Sequence, residues 1–100
     1  MGDKLEKIID HYGVMNQLKY FQSEVFELNE AIIKAENVFE PVQDIDHIKE
    51  EIADCYVMLE QFRIKYNIPL DEVYKVGRFK IDRQIERMKY EGNKSTRNNG

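Results

Sequence analysis

Four carboxylates stand out by type and spacing. Glu24-Val25-Phe26-Glu27 and Glu50-Glu51-Ile52-Ala53-Asp54 each place two acids three residues apart, Glu24 with Glu27 and Glu51 with Asp54. On an α-helix such residues lie about one turn apart on the same face, close enough to share a cation. Two pairs brought together would offer the oxygen ligands that a hard metal prefers.

The elements that must position them can be read from the apolar periodicity. At about 100° per residue, the central apolar stripe of the first helix is Leu18, Phe21, Val25, Leu28 and Ile32, and that of the second is Ile48, Ile52, Cys55, Leu59 and Phe62. Glu24 and Glu27 sit roughly 70° and 130° to one side of the first stripe, and Glu51 and Asp54 take about the same offsets in the same sense. Two antiparallel helices packed stripe to stripe are related by an approximate two-fold axis, so same-sense offsets converge on one side of the hairpin. The break in helical pattern from Asn37 to Asp44, which contains Pro41, is centred near the midpoint between the two pairs. The spacing predicts a four-carboxylate cluster on the flank of a helical hairpin.

With 100 residues, 42% hydrophobic and 34% charged, the chain reads as one folded domain. No apolar run approaches the length of a bilayer span and no secretory apolar segment follows the charged N-terminus, so a cytoplasmic location is expected. The lone Cys55 excludes an intramolecular disulfide and a cysteine-based zinc site, and its place on the central stripe marks it as a small buried hydrophobe. The net charge of −4 is unevenly spread. Residues 1–74 carry 16 acidic and 7 basic side chains, net −9, and residues 75–100 carry 3 acidic and 8 basic, net +5. An acidic protein is poorly suited to general nucleic-acid binding, whereas a small anion held between a metal and a basic helix fits this division.

In chain order, residues 3–11 predict a short helix, with Asp3 able to cap it, Leu5, Ile8 and Ile9 as its apolar face and Gly13 as a left-handed stop. Val14 to about Glu36 predicts a long helix whose second apolar row, Met15, Phe26 and Ile33, requires a further neighbour. Asp44 or Asp46 can cap a helix that runs to about Tyr66, and Pro69, Asp71 and Glu72 suit the first turn of a last helix ending near Tyr90. The expected architecture is an all-α antiparallel helical bundle of three long helices plus a short N-terminal helix. It comprises a domain over residues 1–90 and a polar, flexible tail over 91–100. So small a core favours oligomerisation, as a homodimer or homotetramer.

The sequence Glu24-x-x-Glu27, 23 intervening residues, then Glu51-x-x-Asp54 resembles the signature of the MazG-like all-α nucleoside triphosphate pyrophosphohydrolases, and the resemblance extends from about Val14 to Met88. It implies an oligomeric helical bundle in which Glu24, Glu27, Glu51 and Asp54 bind Mg²⁺, with Mn²⁺ as a substitute. It further implies hydrolysis of (deoxy)nucleoside triphosphates to monophosphate and pyrophosphate, with a role in nucleotide-pool sanitation. Mg²⁺ is usually shared between carboxylates and substrate phosphates and can activate a bound water, so the chemistry is coherent with the ligand set. Glu27 and the adjacent Glu50 are the candidates for the base that orients this water.

Lys80-Ile81-Asp82-Arg83 resembles the family's downstream lysine and arginine segment, with Arg78 where an asparagine is often found shortly before the lysine. By that resemblance Lys80 and Arg83 approach the phosphates, and Gln17 and Phe21 contribute to a base pocket. His47, one turn before Glu51, reads as a surface residue. Neither acidic motif ends in His, as the Glu-x-x-His motifs of di-iron carboxylate bundles would require. The rival reading is a non-catalytic helical-bundle module that binds a nucleotide or a protein.

Overall fold

A single glycine separates the first two helices. Gly13 adopts φ 86° and ψ 152°, a conformation essentially restricted to glycine, while its N–H still donates to the Ile9 carbonyl (2.8 Å) and its carbonyl accepts from Gln17 (3.0 Å). In the computed structural model, which describes residues 2–41 and 43–98, with side chains to residue 92, it joins α1 (Gly2–Tyr12) to α2 (Val14–Ala35). The stop is therefore extended in ψ rather than left-handed helical, and Asp3 lies inside the first turn of α1 rather than at its cap.

After α2 the Asn37 carboxamide oxygen accepts the backbone N–H groups of Phe39 (2.9 Å) and Glu40 (3.2 Å), an Asx-type turn that competes with further helix. Asp44 then accepts from the N–H of His47 (3.1 Å) and so caps α3 (Ile45–Lys65), which decides between the two aspartates. Asn67, at φ 54°, ends that helix with its N–H on the Ile64 carbonyl (3.1 Å), a left-handed position that asparagine tolerates. Pro69 supplies the carbonyl to which Glu72 (3.1 Å) and Val73 (3.3 Å) donate, so it stands at the cap of α4 (Leu70–Asn98), one position before the helix proper. α4 continues beyond Tyr90 to Asn98: no proline intervenes, and Gly92 alone costs only about 1 kcal/mol in a helix. The fold is all-α, with four helices and no strand among the described residues.

Two compact units result, residues 1–67 and 68–100. In the first, later residues of α2 meet earlier residues of α3: Gln17 reaches Gln61, Phe21 meets Phe62 edge-on with ring centroids 5.7 Å apart, and Glu24 lies beside Glu51 and Asp54. α1 packs on both, burying Leu5 and Ile9.

The buried faces differ from the expected stripes. α2 turns Gln17, Phe21, Glu24, Leu28 and Ala31 inward, and α3 turns Ile48, Glu51, Cys55, Met58 and Phe62 inward. Leu18, Ile32, Ile52 and Leu59, expected at the centre, are exposed. Both helices are thus rotated by roughly 50° toward their acidic flank. The physical reason is the width of the apolar surface, which averages two faces into one apparent stripe, while small residues such as Ala31, Ala35 and Cys55 favour close packing on the acidic side. Glu24 and Glu51 therefore move from the flank into the helix interface, while Glu27 and Asp54 stay exposed.

Candidate metal centre

Rotation of α2 and α3 brings Glu24, Glu51 and Asp54 together, with one carboxylate oxygen from each lying within 4.8 Å of the others. Glu24 and Glu51 are buried and Asp54 is exposed. The spacing is that of groups able to share one ion, and without a cation it concentrates negative charge in a region of poor solvation. Two atoms make the point sharply: Glu24 Oε2 and Glu51 Oε2 are buried and have no hydrogen-bond partner. Buried carboxylate oxygens are ordinarily satisfied, so both call for a proton or a cation.

The electrostatics agree. Burial pushes the Glu24 carboxyl above its ordinary value, the Tyr20 hydroxyl partly offsets this, and the charges of Asp54 and Glu27 add to the rise. Glu51 is likewise raised, first by burial and then by Glu27, with His47 acting in the opposite sense. His47 Nε2 lies 3.9 Å from Glu51 Oε1, one turn earlier on α3, as its spacing predicts. The Tyr20 phenol is raised chiefly by its hydrogen bond to Glu24. Cys55, buried beneath the acids, is pushed up by burial and then by Glu24, Asp54 and Glu51, so its thiol stays protonated.

Among the other expected site residues, Glu27 is exposed and outside the close trio, yet its charge acts on both buried acids. Glu50 is exposed and does not join the trio. Lys80 and Arg83 stand exposed on α4, in the unit 68–100, where the Arg83 guanidinium lies 5.9 Å from the Phe79 ring centroid.

Beside the trio opens a cleft of about 570 Å³, with Asp54 on its wall. Ile8 and Tyr12 of α1, Asn16, Gln17 and Tyr20 of α2, and Val57, Met58 and Gln61 of α3 complete the lining. Gln17 therefore takes part, whereas Phe21 is half-buried against Phe62 and does not line the cleft. Tyr20 and Gln61 were not singled out from sequence. Tyr20 precedes Glu24 by one helical turn, which places it beside that acid, and Gln61 falls one position from the apolar stripe, where a buried amide carries no periodic signal. Comparison with family models, curated proteins and solved structures returns no match.

Proposed function

We propose that the chain is a Mg²⁺-dependent nucleoside triphosphate pyrophosphohydrolase of the MazG-like all-α type, an antiparallel helical bundle that hydrolyses (deoxy)nucleoside triphosphates to monophosphate and pyrophosphate in the cytoplasm. The observation that carries the reading is the pair of partnerless buried oxygens, Glu24 Oε2 and Glu51 Oε2, in a trio that opens on the cleft through Asp54. All-oxygen ligands with one side toward open space suit an ion that retains waters and substrate oxygens, which describes Mg²⁺ better than a soft metal. When bound, that ion would screen the triphosphate, polarise a phosphoryl oxygen and acidify a water.

The chain's own residues supply the rest. Glu24 and Glu51 hold fixed oxygens in the helix interface, and Asp54 reaches the same point from the cleft side. Glu27, whose charge acts on both Glu24 and Glu51, takes the proton of the attacking water as its oxygen adds to phosphorus and the α–β anhydride opens to release pyrophosphate; Glu50 is not among the charges that raise either acid. The cleft receives the nucleoside, a volume of this order being usual for small-molecule sites.

The direct test is incubation of the purified protein with each NTP and dNTP, with Mg²⁺ or EDTA, and chromatography of the products. Monophosphate and pyrophosphate, formed only with Mg²⁺, are expected. Diphosphate and orthophosphate would refute the assigned bond cleavage, and unconsumed nucleotide at high protein concentration, with Mg²⁺ still bound, would favour the non-catalytic module.

The same proposal includes at least a homodimer. On the side of α2 and α3 away from the acids, Met15, Leu18, Phe26, Ile32, Ile33, Ile52, Tyr56 and Leu59 are 38% to 68% exposed. At about 200 Å² for a fully exposed side chain of this size they leave about 800 Å² open, close to what each partner contributes to a stable interface. Analytical ultracentrifugation should find the wild type dimeric or larger, and Ile52→Asp should raise the dissociation constant at least about tenfold. A monomeric wild type at 100 μM-scale concentration (about ten times a weak dissociation constant) would reject the dimer.

A further inference from the structure

We infer that Gln61, by holding the Gln17 carboxamide, sets the recognition of the heterocycle that enters the cleft, an inference that rests on the function proposed above. Both amides line the cleft although Gln17 is only 7% exposed and Gln61 only 1%. Gln17 Nε2 donates to Gln61 Oε1 at 2.9 Å, and Gln61 Nε2 donates in turn to the Met58 thioether at 3.6 Å. Sulfur is a weak acceptor, and each carboxamide has two N–H donors and a carbonyl with two lone pairs, so the pair's capacity is far from used. In particular, Gln17 Oε1 accepts no hydrogen bond among the described residues.

Buried amides with unused capacity are uncommon unless water or a ligand answers them. Here they sit among apolar Ile8, Val57 and Met58 and the rings of Tyr12 and Tyr20. A mostly apolar and aromatic cleft with a few fixed polar groups suits a planar, partly polar ligand, as flipped bases are read by edge hydrogen bonds and stacking. Because one N–H of Gln17 Nε2 is tied to Gln61, the carboxamide is kept from turning over, and its carbonyl is held ready for a ring imide N–H or an exocyclic amine of a nucleobase, with the second N–H beside it. Gln61 is then a positioning residue: it does not accept the base itself but fixes which end of Gln17 does.

The test compares calorimetric binding, in Mg²⁺, of α,β-methylene analogues of nucleoside triphosphates and of ribose 5-triphosphate, which lacks the base. Gln61→Met is expected to weaken the nucleotide analogues by about tenfold and leave ribose 5-triphosphate within about twofold. Should that variant misfold because it strands the Gln17 amide, the double variant Gln17→Met, Gln61→Met removes both partners and should show the same base-selective loss. Equal losses for both ligands, or no loss for either, would overturn the inference. So would a wild type that binds ribose 5-triphosphate as tightly as nucleotides, an outcome that leaves the triphosphate reading standing. A wild type that binds Mg²⁺ but no triphosphate would overturn that reading and this inference together.

Discussion

Asp54→Asn is expected to lower kcat/KM for the preferred triphosphate by at least about 10³-fold, about 4 kcal/mol of transition-state stabilisation, the scale on which a catalytic cation acts. Asp54 is the most informative of the acids because it alone both joins the trio and lines the cleft. It is also exposed, so the nearly isosteric amide should fold as the wild type does. Losing one anionic ligand should affect kcat and metal requirement together, and raising Mg²⁺ should recover only part of the rate. Glu30→Gln removes an exposed acid of α2 that is no member of the trio and should leave kcat/KM within about twofold, consistent with the small effects of ordinary surface changes. If Asp54→Asn retained more than about a tenth of the wild-type kcat/KM, the trio would not be the catalytic centre; the threshold lies about 1.4 kcal/mol above no effect.

Much of this site was legible because carboxylate spacing and helix geometry are local properties. The acid pairs, the break at residues 37–44 and the capping chemistry follow from residue types within a few positions, and α2 and α3 meet so that Glu24 faces Glu51 and Asp54. What was not legible is the rotation of each helix about its own axis. Val25 and Ile52 look like core, and Glu24 and Glu51 look like flank, because hydrophobicity cannot tell which of two apolar faces is turned to which neighbour. Ala31, Ala35 and Cys55 were the available signal, since small side chains mark where helices approach closely. The Gln17–Gln61 contact spans 44 positions and is invisible to any local pattern. The end of α4 at Asn98 shows the converse, that polar composition after Gly92 does not itself stop a helix.

The rotation buries two carboxyls and so ties the proposed metal binding to fold stability, with a sign that follows from their shifted titration. In the unfolded chain Glu24 and Glu51 titrate near their ordinary value of 4.5, and in the folded chain burial raises both. Between the unfolded and folded values the native state holds more protons, so stability of the metal-free protein falls as pH rises through that window. Glu60 acts in the opposite sense and elsewhere. Its carboxylate takes two bonds from Arg63, 2.6 Å from Nε and 3.0 Å from Nη2, which hold it below its ordinary value. Its contribution is lost only as pH falls below 4.5, through its folded value, so the two windows do not overlap.

On the proposed function Mg²⁺ would compete with the protons on Glu24 and Glu51, and its stabilising effect should therefore grow with pH. At pH 8 and a hundredfold excess over Kd the gain is about 2.7 kcal/mol, or a rise in Tm of about 10–20 °C for a chain of this size. At pH 5, nearer the range in which the two buried carboxyls take up protons, the shift should be smaller than at pH 8. Glu51→Gln should raise the Tm of the metal-free protein at pH 8, because it removes a buried charge from the trio, and should abolish the response to Mg²⁺. That combination, a more stable apo fold that no longer senses the ion, separates a metal ligand from a structural acid. Thermal melts at pH 5 and 8, with Mg²⁺ or EDTA, decide the matter: a Glu51→Gln protein that still gains the full shift, or a wild type that gains none at either pH, means the two partnerless oxygens do not bind the ion.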